Sequence, residues 1–135
     1  MRWIALSTIM LLATTSVPAD PRTEWLVDAA VPQTGDGSAQ APFKTINEAL
    51  AAARPGDTVT VRDGTYAELL AFPRPGVTLR AARSRGPIVT PGDKIRIEQR
   101  DITVEGLVFD WRFCGSDGIR IYNDRVALRD CELRN

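Results

Sequence analysis

Ile102-Thr103-Val104-Glu105-Gly106-Leu107-Val108-Phe109-Asp110 lies in register with Val126-Ala127-Leu128-Arg129-Asp130-Cys131-Glu132-Leu133-Arg134, 24 positions later. The apolar positions coincide: Ile102 with Val126, Val104 with Leu128, Leu107 with Cys131 and Phe109 with Leu133. The polar positions coincide too, Glu105 with Arg129 and Asp110 with Arg134. The same offset relates Ile95-Arg96-Ile97-Glu98 to Ile119-Arg120-Ile121-Tyr122, and Val77-Thr78-Leu79-Arg80 precedes Ile102 by 25. Period-two alternation makes each run a strand with one buried side. A repeat in the twenties built from such strands is a solenoid signature. Gly106 falls between two strand halves and suits a bend between two faces of a coil. A β-sandwich has short alternating strands but no reason for this register. A doubly wound fold needs helices between strands, and no helical period follows Pro55.

The chain upstream prepares such a solenoid. Gly35-Asp36-Gly37-Ser38 reads as a loop, with Asp and Ser satisfying nearby backbone donors. Thr45-Ile46-Asn47-Glu48 reads as a capping box, the Thr45 hydroxyl at the N-cap and Glu48 reaching back. Ile46, Ala49, Leu50 and Ala53 form one apolar helical face, and Arg54-Pro55-Gly56 ends it. The spacing predicts a helix over 45–53, lying across the open end of the first coil. Thr58 to Arg62 alternates as a strand and Asp63-Gly64 turns the chain. The residues expected to face inward include Val59, Val61, Val77, Leu79, Ile95, Ile97, Ile102, Val104, Ile119, Ile121, Val126 and Leu128.

Gly35 to Ser38, Ala41-Pro42-Phe43-Lys44-Thr45-Ile46, Ala49-Leu50, Arg54 to Val59, Gly64-Thr65-Tyr66 and Glu68 together resemble the N-terminal lead-in of right-handed parallel β-helix proteins of the pectate-lyase-like superfamily. The resemblance implies an all-β, right-handed parallel β-helix with a short N-terminal capping helix. It is specific for the fold and weak for the function, because this scaffold hosts lyases, hydrolases, epimerases, adhesins and accessory proteins. The expected organisation is a signal peptide over 1–19, a lead-in segment and capping helix over 20–57, and incomplete β-helix coils over 58–135. About three coils fit after Thr58. A strand-like run reaches Asn135 with no polar cap after it, which reads as the N-terminal part of a longer solenoid. A complete three-coil domain is the competing reading.

Composition limits the chemistry. The 17 basic and 17 acidic residues balance, so nothing favours nucleic acid or a general membrane surface as partner. The chain has no histidine, which removes Ser-His-Asp triads, Cys-His dyads and histidine metal sites within it. Arg2, the apolar run Ile4 to Ala13 and the small residues Val17 and Ala19 read as a cleaved secretory signal. The run is too short to span a bilayer, and an uncleaved N-terminal anchor is the alternative. Secretion or a periplasmic location follows, with a mature chain starting at Asp20, no transmembrane span and a monomeric state. Two cysteines, Cys114 and Cys131, lie 17 positions apart. An oxidising compartment permits a disulfide between them, worth about 3 kcal/mol by chain entropy. Equally, Cys131 reads as a small buried residue of a stacked row.

Candidate binding residues come from the repeat. Arg96 and Arg120 should stack outward on adjacent coils, about 4.8 Å apart, with Tyr122 on the same face. Opposed like charges are unfavourable, and the row suits an anionic ligand such as a polyuronate or sulfated sugar. The competing reading has both guanidinium groups splayed into water. Trp111 and Phe113 read equally as a sugar platform or as a cover for the core. Asp110, Asp117, Asp124 and Asp130 read as solvated turn residues rather than as a metal set, and no metal ligands are assigned. Calcium in a longer protein is implied by the resemblance alone.

Two classes of function follow. The resemblance implies an exported polysaccharide-acting protein, above all a lyase for an acidic polysaccharide of the pectate, alginate or chondroitin kind. Such lyases neutralise a uronate carboxylate and remove the α-proton with a lysine, arginine or similar base. No motif of a family active site occurs here, so catalytic residues are unassigned and this chain alone is expected to be inactive. The other class is a non-catalytic repeat protein: an adhesin, a carbohydrate-binding module or a periplasmic accessory protein.

Overall fold

The structure is a computed structural model that describes residues 23–112 and 118–135. The signal peptide expected over 1–19 and the residues Phe113, Cys114 and Asp117 lie outside the described residues, and with them the Cys114–Cys131 pairing. Eleven short strands and one helix follow in order: β1 (Glu24–Val27), α1 (Ile46–Ala52), β2 (Thr58–Val61), β3 (Gly64–Tyr66), β4 (Thr78–Ala81) and β5 (Pro87–Val89). Then come β6 (Ile95–Ile97), β7 (Ile102–Glu105), β8 (Val108–Asp110), β9 (Ile119–Ile121), β10 (Val126–Arg129) and β11 (Glu132–Arg134).

These strands make a parallel β-solenoid. The first sheet runs β1-β2-β4-β7-β10, the second β11-β8-β5-β3 and the third β6-β9. Every pairing is parallel. Ile102 pairs with Val126, Val108 with Glu132 and Ile95 with Ile119, which is the expected 24-residue register on all three faces. Thr78 pairs with Thr103, 25 residues on, but Thr58 pairs with Thr78 after only 20.

Alternation fills the interior with stacked rows. Val59, Leu79 and Val104 form one row and Tyr66, Val89 and Phe109 another, all buried. In the last coil the same rows lose their cover. Leu128 is 36% exposed, Ile121 46% and Leu133 54%, although each keeps its inward register. Ile121 and Leu128 thus keep the inward register expected of them but are not covered. A solenoid residue is buried by the coil above as well as the coil below, and no coil lies above these two among the described residues.

The other end is closed. Leu26 N–H donates to Gly37 O at 2.8 Å, Phe43 N–H to Leu26 O at 2.9 Å and Asp28 N–H to Phe43 O at 2.8 Å. Residues 37–43 thus pair with the outer edge of β1, which would otherwise offer unpaired backbone. Gly37, at φ +87°, passes between the rings of Trp25 and Phe43, and a Cβ there would meet each at 2.7 Å. The tandem glycine loop is a fitted closure. Strand β1 itself was not foreseen; Glu24-Trp25-Leu26-Val27 is identified by its pairing with β2.

Helix α1 completes the closure with Ile46, Ala49, Leu50 and Ala53 buried, the face its spacing predicts. Thr45 caps it, its hydroxyl accepting from Glu48 N at 3.2 Å. The capping box is not reciprocal through backbone: the Thr45 hydroxyl donates to Glu48 Oε1 at 2.8 Å, and Thr34 donates to Oε2 at 2.7 Å. A second carboxylate takes the free donors instead. Glu68, beyond β3, accepts from Ile46 N at 2.9 Å and Asn47 N at 2.8 Å. Asn47 then brackets the first coil, donating to Leu69 O at 2.8 Å and accepting from Ala71 N at 3.0 Å. The helix lies over Glu68 to Phe72, where a strand of the third face would stand.

One corner of every coil turns through the left-handed region. Gly56, Gly76, Asp101 and Arg125 occupy equivalent positions with φ of +95°, +75°, +57° and +55°. Gly106 and Asp130 repeat the pattern at the next corner, with φ +75° and +50°.

Candidate functional site

The third face carries the candidate site. Strand β6 turns Ile95 and Ile97 inward and leaves Arg96 outward; β9 repeats this with Ile119, Arg120 and Ile121. Arg96 pairs in register with Arg120. Tyr122 N–H donates to Ile97 O at 2.9 Å and Asn123 Nδ2 to Glu98 O at 3.1 Å. Tyr122 therefore stands beside Glu98 on the neighbouring coil, and the residue is 56% exposed. Arg96, Arg120 and Tyr122, the three residues singled out from the repeat, share one outward patch. Neither arginine is hydrogen-bonded or ion-paired to a carboxylate among the described residues.

That patch borders a groove. Residues Leu69 to Pro73 form its floor, and Asp93, Lys94, Arg96 and Glu98 its charged wall, around about 360 Å³. The groove exists because the first coil has no strand on this face: β6 pairs only with β9. The floor residues were not picked out from the sequence. The 20-residue first coil breaks the period that found the others, so no offset points to them.

Elsewhere on the two last coils, acid faces arginine. Glu105 pairs in register with Arg129 and Asp110 with Arg134. Asp101 accepts from Arg125 Nε at 2.5 Å and Nη2 at 2.9 Å, which lowers its pKa and raises that of Arg125. Asp110 is buried and bound by Arg112 through Nε, Nη2 and backbone N–H, which hold its carboxyl down at about 2. Arg134 turns its Nε to Glu132 at 2.6 Å and lowers that carboxyl too. Asp130 is bound by Ser84 and Arg85, and Asp124 lies 3.7 Å from Arg125. These aspartates act as partners of arginines, and among the described residues no three Asp, Glu or Cys side chains gather as a metal-ligand set.

Trp111 resolves to the core. It is buried, stacks on Phe109 with centroids 6.0 Å apart and donates its indole N–H to Asp93 O at 2.9 Å. Cys131 is half-buried with its sulfur 3.4 Å from Val104 O. Among the described residues no helix is long and apolar enough to cross a membrane.

Fold and site define the class: a parallel β-solenoid protein with a closed N-terminal end and, on one face, a groove with an apolar floor and a charged wall. Residues 31–74 match a family model described as "Protein of unknown function (DUF1565)", a family associated with parallel β-helix proteins. The matched stretch runs from the closing loop through α1 and the first coil to the groove floor. No curated protein and no solved structure matches the chain.

Proposed function

We propose that the chain is the glycan-binding part of an exported β-solenoid protein, and that its ligand is an acidic polysaccharide. The observation that carries this reading is the in-register pairing of Arg96 with Arg120, with no carboxylate of the described residues bound to either. Two arginines one strand spacing apart on the same outward face favour an anion that neutralises both. The groove beside them has apolar floor residues for the C–H face of a sugar and carboxylates to accept its hydroxyls. Export of a monomer beginning at Asp20 belongs to the same reading.

The test is titration of the chain with oligogalacturonate, oligoalginate and chondroitin fragments. Saturable binding that weakens with salt and is lost in Arg96→Ala/Arg120→Ala supports it. Binding untouched by that double substitution refutes the site. Ultraviolet absorbance from unsaturated products in the same mixtures would replace binding by lyase activity.

A further inference from the structure

Across the paired strands, charged residues directly in register have opposite sign at every position but one. Arg80 faces Glu105, Glu105 faces Arg129 and Asp110 faces Arg134. Arg96 and Arg120 are the exception. Opposed like charges in a ladder are destabilising, so this position stands out against the pattern of its own coils.

The neighbouring column adds to it. Side chains two apart on a strand stand about 6.6 Å apart, and adjacent strands about 4.8 Å. Arg96 and Arg120 make one column, Glu98 and Tyr122 the next, each column crossing the same two coils. The four residues are exposed, and their backbone positions mark out about 4.8 Å by 6.6 Å, a spacing that one pyranose ring can bridge.

Resting on the glycan reading above, we infer that Arg96, Arg120, Glu98 and Tyr122 form a subsite for a single anionic pyranose. The sugar ring packs on the Tyr122 ring. Its carboxylate or sulfate ester bridges the two guanidinium groups. A ring hydroxyl donates to the Glu98 carboxylate. Binding therefore depends on one charged residue of the glycan and hardly on chain length, whereas a diffuse basic strip would gain with every added charge.

Saturation-transfer and titration NMR of the chain with methyl galacturonoside, methyl galactoside and galacturonate pentamer tests this. The expected result is that the acidic monosaccharide binds within about threefold of the pentamer per site, and the neutral one does not bind. Arg96→Ala and Arg120→Ala should each weaken the monosaccharide at least tenfold. Tyr122→Ala should abolish transfer to the ring protons, and Glu98→Gln should weaken binding severalfold without changing its salt dependence. All four residues are exposed, and circular dichroism checks that each variant folds. A pentamer that binds while the monosaccharide is silent overturns the subsite and leaves the glycan reading standing. Silence from every acidic ligand overturns both.

Discussion

Replacing Glu68 with alanine removes the carboxylate that ties the first coil to the start of α1. That carboxylate accepts two backbone hydrogen bonds, from Ile46 N at 2.9 Å and Asn47 N at 2.8 Å. A hydrogen bond to a charged group contributes about 1.5–3 kcal/mol. Glu68 is half-buried, so water recovers part of the loss, and the expected cost is about 2 kcal/mol in all. Glu68→Gln keeps an acceptor but loses the charge at a helix N-terminus, and should cost about 1 kcal/mol. Thr45→Ala removes the other cap and should also cost about 1 kcal/mol. The two sites serve one helix end, so the double substitution should deviate from additivity. Urea unfolding followed by tryptophan fluorescence reads all four chains, because Trp25 packs against Phe43 at the same end. A Glu68→Ala chain within about 0.5 kcal/mol of the parent, the range of an ordinary surface change, would refute the closure argument. Equal losses for alanine and glutamine would assign the whole effect to the charge, and an unchanged glutamine chain would assign it to the acceptor and packing.

Three further outcomes are expected. Leu50→Ala truncates a fully buried side chain beneath the same end and should cost about 3 kcal/mol, read as a lowered denaturation midpoint; an unchanged midpoint means α1 does not cover the core. Asp110 is held at about 2, below its unfolded value, so its contribution is present above about pH 4 and lost as pH falls toward 2. Carboxyl NMR titration should show this, with Arg112→Ala moving the Asp110 midpoint upward. Tyr66 is pushed up to about 12 by burial, and its hydroxyl donates to Arg62 O at 2.9 Å while accepting from Ala29 N at 3.1 Å. Its contribution is full below pH 10 and lost as pH rises toward 12, so the alkaline unfolding limb should shift in Tyr66→Phe.

The parts of the fold that could be read from the sequence are those where successive coils have equal length. Ile102 to Asp110 and Val126 to Arg134 keep one register because both corners between their strands hold two residues. The β4–β5 corner holds 82–86 instead, and Arg85 N–H crosses to Gly106 O at 2.6 Å to anchor it. Such an insertion breaks the offset without breaking the stacking and hid β5, while the short first coil, with Thr58 pairing Thr78 after only 20 residues, hid the groove floor. Strand β1 was hidden for another reason: the four residues Glu24–Val27 carry no period of their own. Gly106 marked its bend, but Asp101, Arg125 and Asp130 adopt the same left-handed backbone without the residue type that announces it. Arg96, Arg120 and Tyr122 were legible because they lie in the regular coils. The role of Glu68 was not, since its partners are 21 and 22 residues earlier.

Among the described layers support is unequal, which gives the motions of the 135-residue chain a direction. In a stack where each layer touches only its neighbours, stability is a sum of layer and interface contributions. The first layer is clamped by residues 37–43 and by α1, whereas β10 and β11 hold on through one neighbour each. Opening should start at β11 and travel backwards, one layer at a time, toward the clamp. Amide exchange would then be graded along the axis, fastest at Leu128 and Leu133, slower at Val104 and slowest at Val59. The Arg96–Arg120 column spans the step between the yielding layer and the one beneath it. A ligand bridging both guanidinium groups would therefore slow exchange in β9 and β10 well beyond the residues it touches.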